Sequence, residues 1–144
     1  RLDIAVERRQ PRKGFARFRR LAGDEGDVVK SVHEALKTME RVVLVYTTWP
    51  SVVEAERSGR VLVERRLAAC VNILPGMISH YWWQGKLERG EETVAIFKTR
   101  ASLGEDLCRA VKDVHPYETP SIVVLPLESV DADYYAWILK ETDA

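Results

Sequence analysis

The chain predicts an α+β sandwich of βαββαβ order, with one more helix at its C-terminal end and an N-terminal extension. Three observations carry this. Apolar runs of strand character alternate with helical segments through residues 41–143, an order that lays helices on a sheet. A short turn, Gln84-Gly85-Lys86, joins the second and third strands directly. The chain has 144 residues, enough to bury one core without disulfide staples.

The elements follow in order. "RVVLVYTT" (41–48) is a continuous β-branched run, as expected of a strand buried on both faces. Pro50 suits the first turn of a helix that Thr48 can cap, and residues 51–70 have helical length and propensity. "VNIL" (71–74) is a short strand stopped by Pro75-Gly76, and "MISHYWW" (77–83) resumes it. "LERGEETVAIFKTR" (87–100) returns. Its 14 residues would extend to roughly 46 Å at about 3.3 Å per residue, longer than so small a domain needs. Residues 103–114 form a second helix, which stops where Pro116 makes α geometry costly for His115. "SIVVLPL" (121–127) is a strand that Pro126 places near an edge. Residues 131–143 form a third helix capped by Asp131. Two βαβ units sharing a hairpin make the split, ferredoxin-like arrangement. Its helices are expected to cover one face only, leaving the other for a neighbour.

Residues 39–144 form this domain; residues 1–38 are a basic extension with a helix over 28–38, which is expected to dock on the body. Net charge is zero, yet residues 1–23 hold eight Arg or Lys against Asp3 and Glu7. Such asymmetry can mark a polyanion partner; a solvated tail is the reading favoured here, with no nucleic-acid partner. Cys70 and Cys108 offer no disulfide framework and fit a reducing compartment. No apolar run is long enough to span a bilayer, so no membrane partner is expected.

The chemistry concentrates in few places. In "HPYETP", Pro116 and Pro120 stiffen a segment that presents His115, Tyr117 and Glu118. Imidazole and carboxylate bind both protons and metals, and the alternative is a plain helix-to-strand connector. Cys70 ends the first helix and is either a small core residue or a ligand. Lys98, in an apolar strand, either needs a carboxylate or a cleft, with Glu118 a candidate partner, or is a strand-end Lys pointing to water. Glu88, Glu91 and Glu92 read as a solvated hairpin arm. Phosphate-cradling glycine loops and nucleophile-elbow motifs do not occur.

"VYTTWP", "LVERRLAACVNILPG", "SHYWWQGKLERGEE", "FKTR", "HPYETP" and "YYAWI", in that order and spacing, resemble the CutA divalent-cation-tolerance family over about residues 41–140. The resemblance implies a ferredoxin-like subunit, an intertwined homotrimer, a cytoplasmic location and a link to tolerance of copper and other divalent metals. It makes His115 and Cys70 metal contacts and sets Trp83, Lys98, Tyr117 and Glu118 in a cleft between subunits. Tyr46 and Val114 stand where some copper-binding members carry Cys and His, which leaves His115 few soft partners. Residues 1–38 fall outside the resemblance. Gly59, mid-helix, implies either a close approach of another backbone there or a weakened helix.

The expected function is therefore a non-enzymatic trimer that binds a divalent metal such as Cu(II), or a small ligand, with no obligatory cofactor. The alternative is a signalling module like the PII regulators, although no phosphate-gripping loop is present. An enzyme using His115 as general base is a third possibility.

Overall fold

The structure, a computed structural model, describes residues 26–31 and 39–143. The chain divides into two units, with the division between Thr38 and Met39. In the first unit residues 26–31 are helical. Residues 32–38 of the expected 28–38 helix lie outside the described residues.

The second unit runs β1 (Val42–Trp49), α1 (Val52–Glu64), β2 (Cys70–Trp83), β3 (Lys86–Arg100), a 3-10 turn (Ala101–Leu103), α2 (Gly104–Val114), β4 (Ile122–Pro126) and α3 (Ala132–Glu141). All strand pairs are antiparallel, in the order β2-β3-β1-β4. This is the α+β, ferredoxin-like sandwich. β4 is an edge strand, where the missing N–H of Pro126 costs no ladder bond. Asp131 caps α3 by accepting from the N–H groups of Asp133 and Tyr134.

Two helices build the core. Val43, Val45 and Trp49 of β1, with Ala95 and Phe97 of β3, face Ala55 and Leu62 of α1 and Leu107, Ala110 and Val111 of α2. The neighbouring parity of β1 faces the other way, and there α3 intervenes. Ile138 packs on Val42 and Ala69, with Tyr135 beside them. The expectation that helices cover one face only is thus corrected, since α3 covers one end of the second face. Among the described residues the other end, around Tyr46 and Thr48, stays open.

Pro75-Gly76 does not stop a strand. β2 is continuous for 14 residues, and its register slips between Leu74↔Val94 and Met77↔Glu92. Two residues are inserted opposite one, with Gly76 at φ +78°, so this is a bulge. It swaps the faces of everything that follows. Met77, Ser79, Tyr81 and Trp83 join Glu92 on the face away from α1 and α2, while Ile78, His80 and Trp82 take the opposite face. The turn at Gln84-Gly85 has φ of +49° and +79° and pairs Trp83 with Lys86, the twist that two-residue hairpins favour.

Three local expectations change. β1 extends through Trp49, paired with Thr93, so the cap of α1 is Ser51, whose Oγ accepts from the Glu54 N–H at 3.2 Å. α1 ends at Glu64 rather than residue 70. Arg66 turns the chain at φ +62°, and its guanidinium is held by Glu141 at 2.6 Å. Cys70 therefore opens β2 instead of closing a helix. The close approach at Gly59 is a side chain, not a backbone: an added Cβ would lie 3.1 Å from Val71 Cγ1.

Candidate ligand cleft

The open end of the second sheet face is a cleft of about 1020 Å³. Tyr46 and Thr48 of β1 form its floor. The residues that the bulge turned over, Met77, Ser79, Tyr81 and Trp83, form one wall with Glu92. The connector from Pro116 to Ser121 forms the other. Pro116 sets that connector by ending α2: His115 leaves the helix at φ −76°, ψ 134°.

A ring column holds the connector in place. Trp49, fully buried, stacks on His115 at 4.1 Å, and His115 meets Tyr117 at 4.9 Å. Trp49 Nε1 donates to Thr47 Oγ1 at 2.7 Å, and that hydroxyl donates to the Ala95 carbonyl at 2.8 Å. The backbone N–H of Tyr117 donates to His115 Nδ1 at 3.1 Å. An N–H can only donate, so the ring proton sits on Nε2, which donates to the Thr48 carbonyl at 2.7 Å. Burial holds the His115 pKa below the usual imidazole value, against the pull of the Thr48 carbonyl.

Glu92 is part of this wall, not of a solvated arm. Its two oxygens accept from Tyr117 Oη at 3.1 Å and Ser79 Oγ at 2.9 Å. Burial, then the Glu92 carboxylate, push the Tyr117 phenol up to about 12. The phenol therefore stays protonated and keeps donating.

Of the residues picked from the sequence, Trp83, Tyr117 and Glu118 share this cleft. Lys98 and Cys70 do not. They are a register pair toward the other end of β3, where Lys98 Nζ donates to Tyr134 Oη at 2.9 Å and lies 5.2 Å from its ring centroid. That hydrogen bond raises the Lys98 pKa. The expected Lys98–Glu118 pairing is replaced by Tyr134, which also lies 3.8 Å from Cys70 Sγ. His115, as folded, has no free nitrogen for a metal. Among the described residues no group of three or more His, Cys, Asp or Glu is placed to hold one. Sequence reading missed Glu92 and Trp49, and took Tyr46 only as a replaced metal ligand. Parity along β3, with Ala95 and Phe97 inward, was the available signal for Glu92.

The pH behaviour of His115 follows with a definite sign. Its folded pKa lies below the unfolded value of about 6.5, so the unfolded chain binds the proton first. Stability should be flat above neutrality and fall as pH drops below about 6.5, continuing until the folded pKa is reached. Urea unfolding from pH 8 down to pH 5 should show this decline, reduced in His115→Asn. An identical slope in both proteins would assign the decline elsewhere.

Comparison with known proteins agrees with this architecture. The family model of the CutA1 divalent ion tolerance protein matches residues 43–141. The divalent-cation tolerance protein CutA of Pyrococcus horikoshii is 40% identical over 101 residues, covering 70% of this chain and 98% of that protein. The chloroplastic protein CutA 1 of Oryza sativa subsp. japonica is 34% identical over 146 aligned residues, covering 96% of this chain and 81% of its own. That alignment extends into residues 1–38, whereas the family model begins at residue 43. The crystal structure of CutA1 from Ehrlichia chaffeensis superposes with a TM-score of 0.71 at 29% identity, over 74% of this chain and all of that one. Among the described residues no helix is long and apolar enough to cross a membrane. With a family match over more than half its length and these relatives, the chain belongs to the CutA1 divalent ion tolerance family.

Proposed function

We propose that the protein works as a non-enzymatic homotrimer in divalent-metal tolerance, copper among the metals, with ligand held in clefts at the subunit boundaries. The observation that carries this reading is the hairpin of residues 77–92. β1 ends opposite Thr93, so beyond that point β2 and β3 have no third strand among the described residues. A two-stranded ribbon is marginal alone in water. This one exposes Ile78, Trp82 and Leu87, with Trp82 at 73%. A neighbour's sheet edge supports the ribbon and covers those side chains, and a ring of subunits leaves no open end.

The cleft opens at the root of that ribbon, so assembly and ligand binding meet there. In this reading residues 39–144 carry the function, residues 1–38 are an added basic segment, and the setting is cytoplasmic. Any metal is held by the cleft carboxylates Glu92 and Glu118 with groups from the neighbouring subunit. His115 and Cys70 lie apart, and both His115 nitrogens are engaged.

Sedimentation velocity tests the assembly. A single species of three times 16.5 kDa should persist on dilution toward nanomolar concentration, and a 16.5 kDa species would remove the trimer. Calorimetry with Cu(II) on the same protein tests the metal. No saturable heat would remove metal binding and leave the assembly standing.

A further inference from the structure

We propose that the cleft takes a small organic ammonium ion, held over aromatic faces and beside two carboxylates. This rests on the reading of the cleft as a ligand site and specifies its chemistry. Tyr46, Tyr81, Trp83 and Tyr117 line the cavity, and so do Glu92 and Glu118. Among the described residues the lining contains no lysine or arginine, and although His80 belongs to the lining strand, alternation turns its side chain to the opposite face. Neither Glu92 nor Glu118 makes an ion pair among the described residues.

Each ligand class meets this wall differently. An anion would face two carboxylates with no lysine or arginine among the described lining residues to offset them. A neutral apolar molecule would suit the rings but strip water from carboxylates without replacing it. A bare divalent ion wants several oxygen, nitrogen or sulfur ligands at short range; no group of three His, Cys, Asp or Glu is so placed among the described residues, so it would need further ligands from a neighbouring subunit. An alkylammonium satisfies both halves of the wall. Its charge is spread over an apolar surface, which ring faces attract, and the carboxylates supply the opposite charge.

The wall is also pre-organised for this. The Tyr117 ring is fixed by the Trp49–His115–Tyr117 column, and Glu92 is aimed by Ser79 and Tyr117. Because both Glu92 contacts are neutral hydroxyls, they orient its charge without cancelling it. Fixing these groups before the ligand arrives lowers the ordering cost of binding.

The test is a titration of the full-length protein with tetramethylammonium chloride, read by tryptophan fluorescence and saturation-transfer NMR. tert-Butanol serves as the neutral control and benzoate as the anionic one. Saturable binding of tetramethylammonium alone is expected, weakened about tenfold in Trp83→Ala and about tenfold in Glu118→Gln. Glu118 is exposed on the connector, so its variant keeps the fold even if Trp83→Ala does not. No saturable tetramethylammonium binding, equal binding of tert-butanol, preferential binding of benzoate, or unchanged affinity in Glu118→Gln would each overturn the proposal. Sedimentation and Cu(II) calorimetry on the same sample report separately on the trimer and the metal.

Discussion

Replacing Trp82 and Leu87 together by Asp is expected to convert the protein to a 16.5 kDa monomer that keeps its core. The two residues are directly opposed across the hairpin and are 73% and 63% exposed in the single chain. They contribute nothing to the cluster beneath α1 and α2, so the subunit loses little by their replacement. The assembly loses much. Truncating a buried Trp costs about 3–5 kcal/mol. A pair of aspartates must also leave water together, and like charges directly opposite one another add repulsion. A deficit of that size at every boundary moves dissociation by several powers of ten, since each 1.4 kcal/mol is about tenfold. Sedimentation velocity and circular dichroism should show a smaller species with native helix content. A double variant that still sediments at three times the monomer mass would place the boundary elsewhere and withdraw the role assigned to the hairpin.

Trp49→Ala is expected to cost the folded subunit about 3–5 kcal/mol, a large part of the usual 5–15 kcal/mol margin. Trp49 is fully buried in the principal core, stacks on His115 and donates to Thr47. Removing it empties the space between β1 and the connector and frees His115 on one side. The loss should therefore reach the cleft, loosening Tyr117 and its bond to Glu92. Trp49→Phe keeps a ring against His115 and should lose less than half as much. Urea unfolding at neutral pH measures both. A loss below about 1 kcal/mol for Trp49→Ala would mean that the column does not hold the connector.

Much of this molecule is legible locally. Pro116 ends α2 because the residue before a proline avoids α geometry. Gln84-Gly85 closes the hairpin because both positions take positive φ. Asp131 caps α3 with its own carboxylate, and Pro126 marks the edge strand. These are steric and hydrogen-bonding rules acting within a few residues. They determine the element order, the ferredoxin-like sandwich and the overlong hairpin.

The cleft was decided elsewhere. Tyr81 and Trp83 line it only because the bulge at Pro75-Gly76 shifts the register by one residue, and alternation along a strand cannot reveal which face is which until the partner strand is known. Glu92 reads as one more surface acid until Ser79 and Tyr117 meet it across the sheet. His115 reads as a presented ligand until Thr48 and the Tyr117 amide occupy both its nitrogens. Lys98 turns from an expected carboxylate to Tyr134 because α3 folds onto the second face. Each of these contacts joins groups whose meeting is set by strand register or helix docking. A side chain's partners are fixed by the packing of the whole sheet, whereas its backbone geometry is fixed by its immediate neighbours.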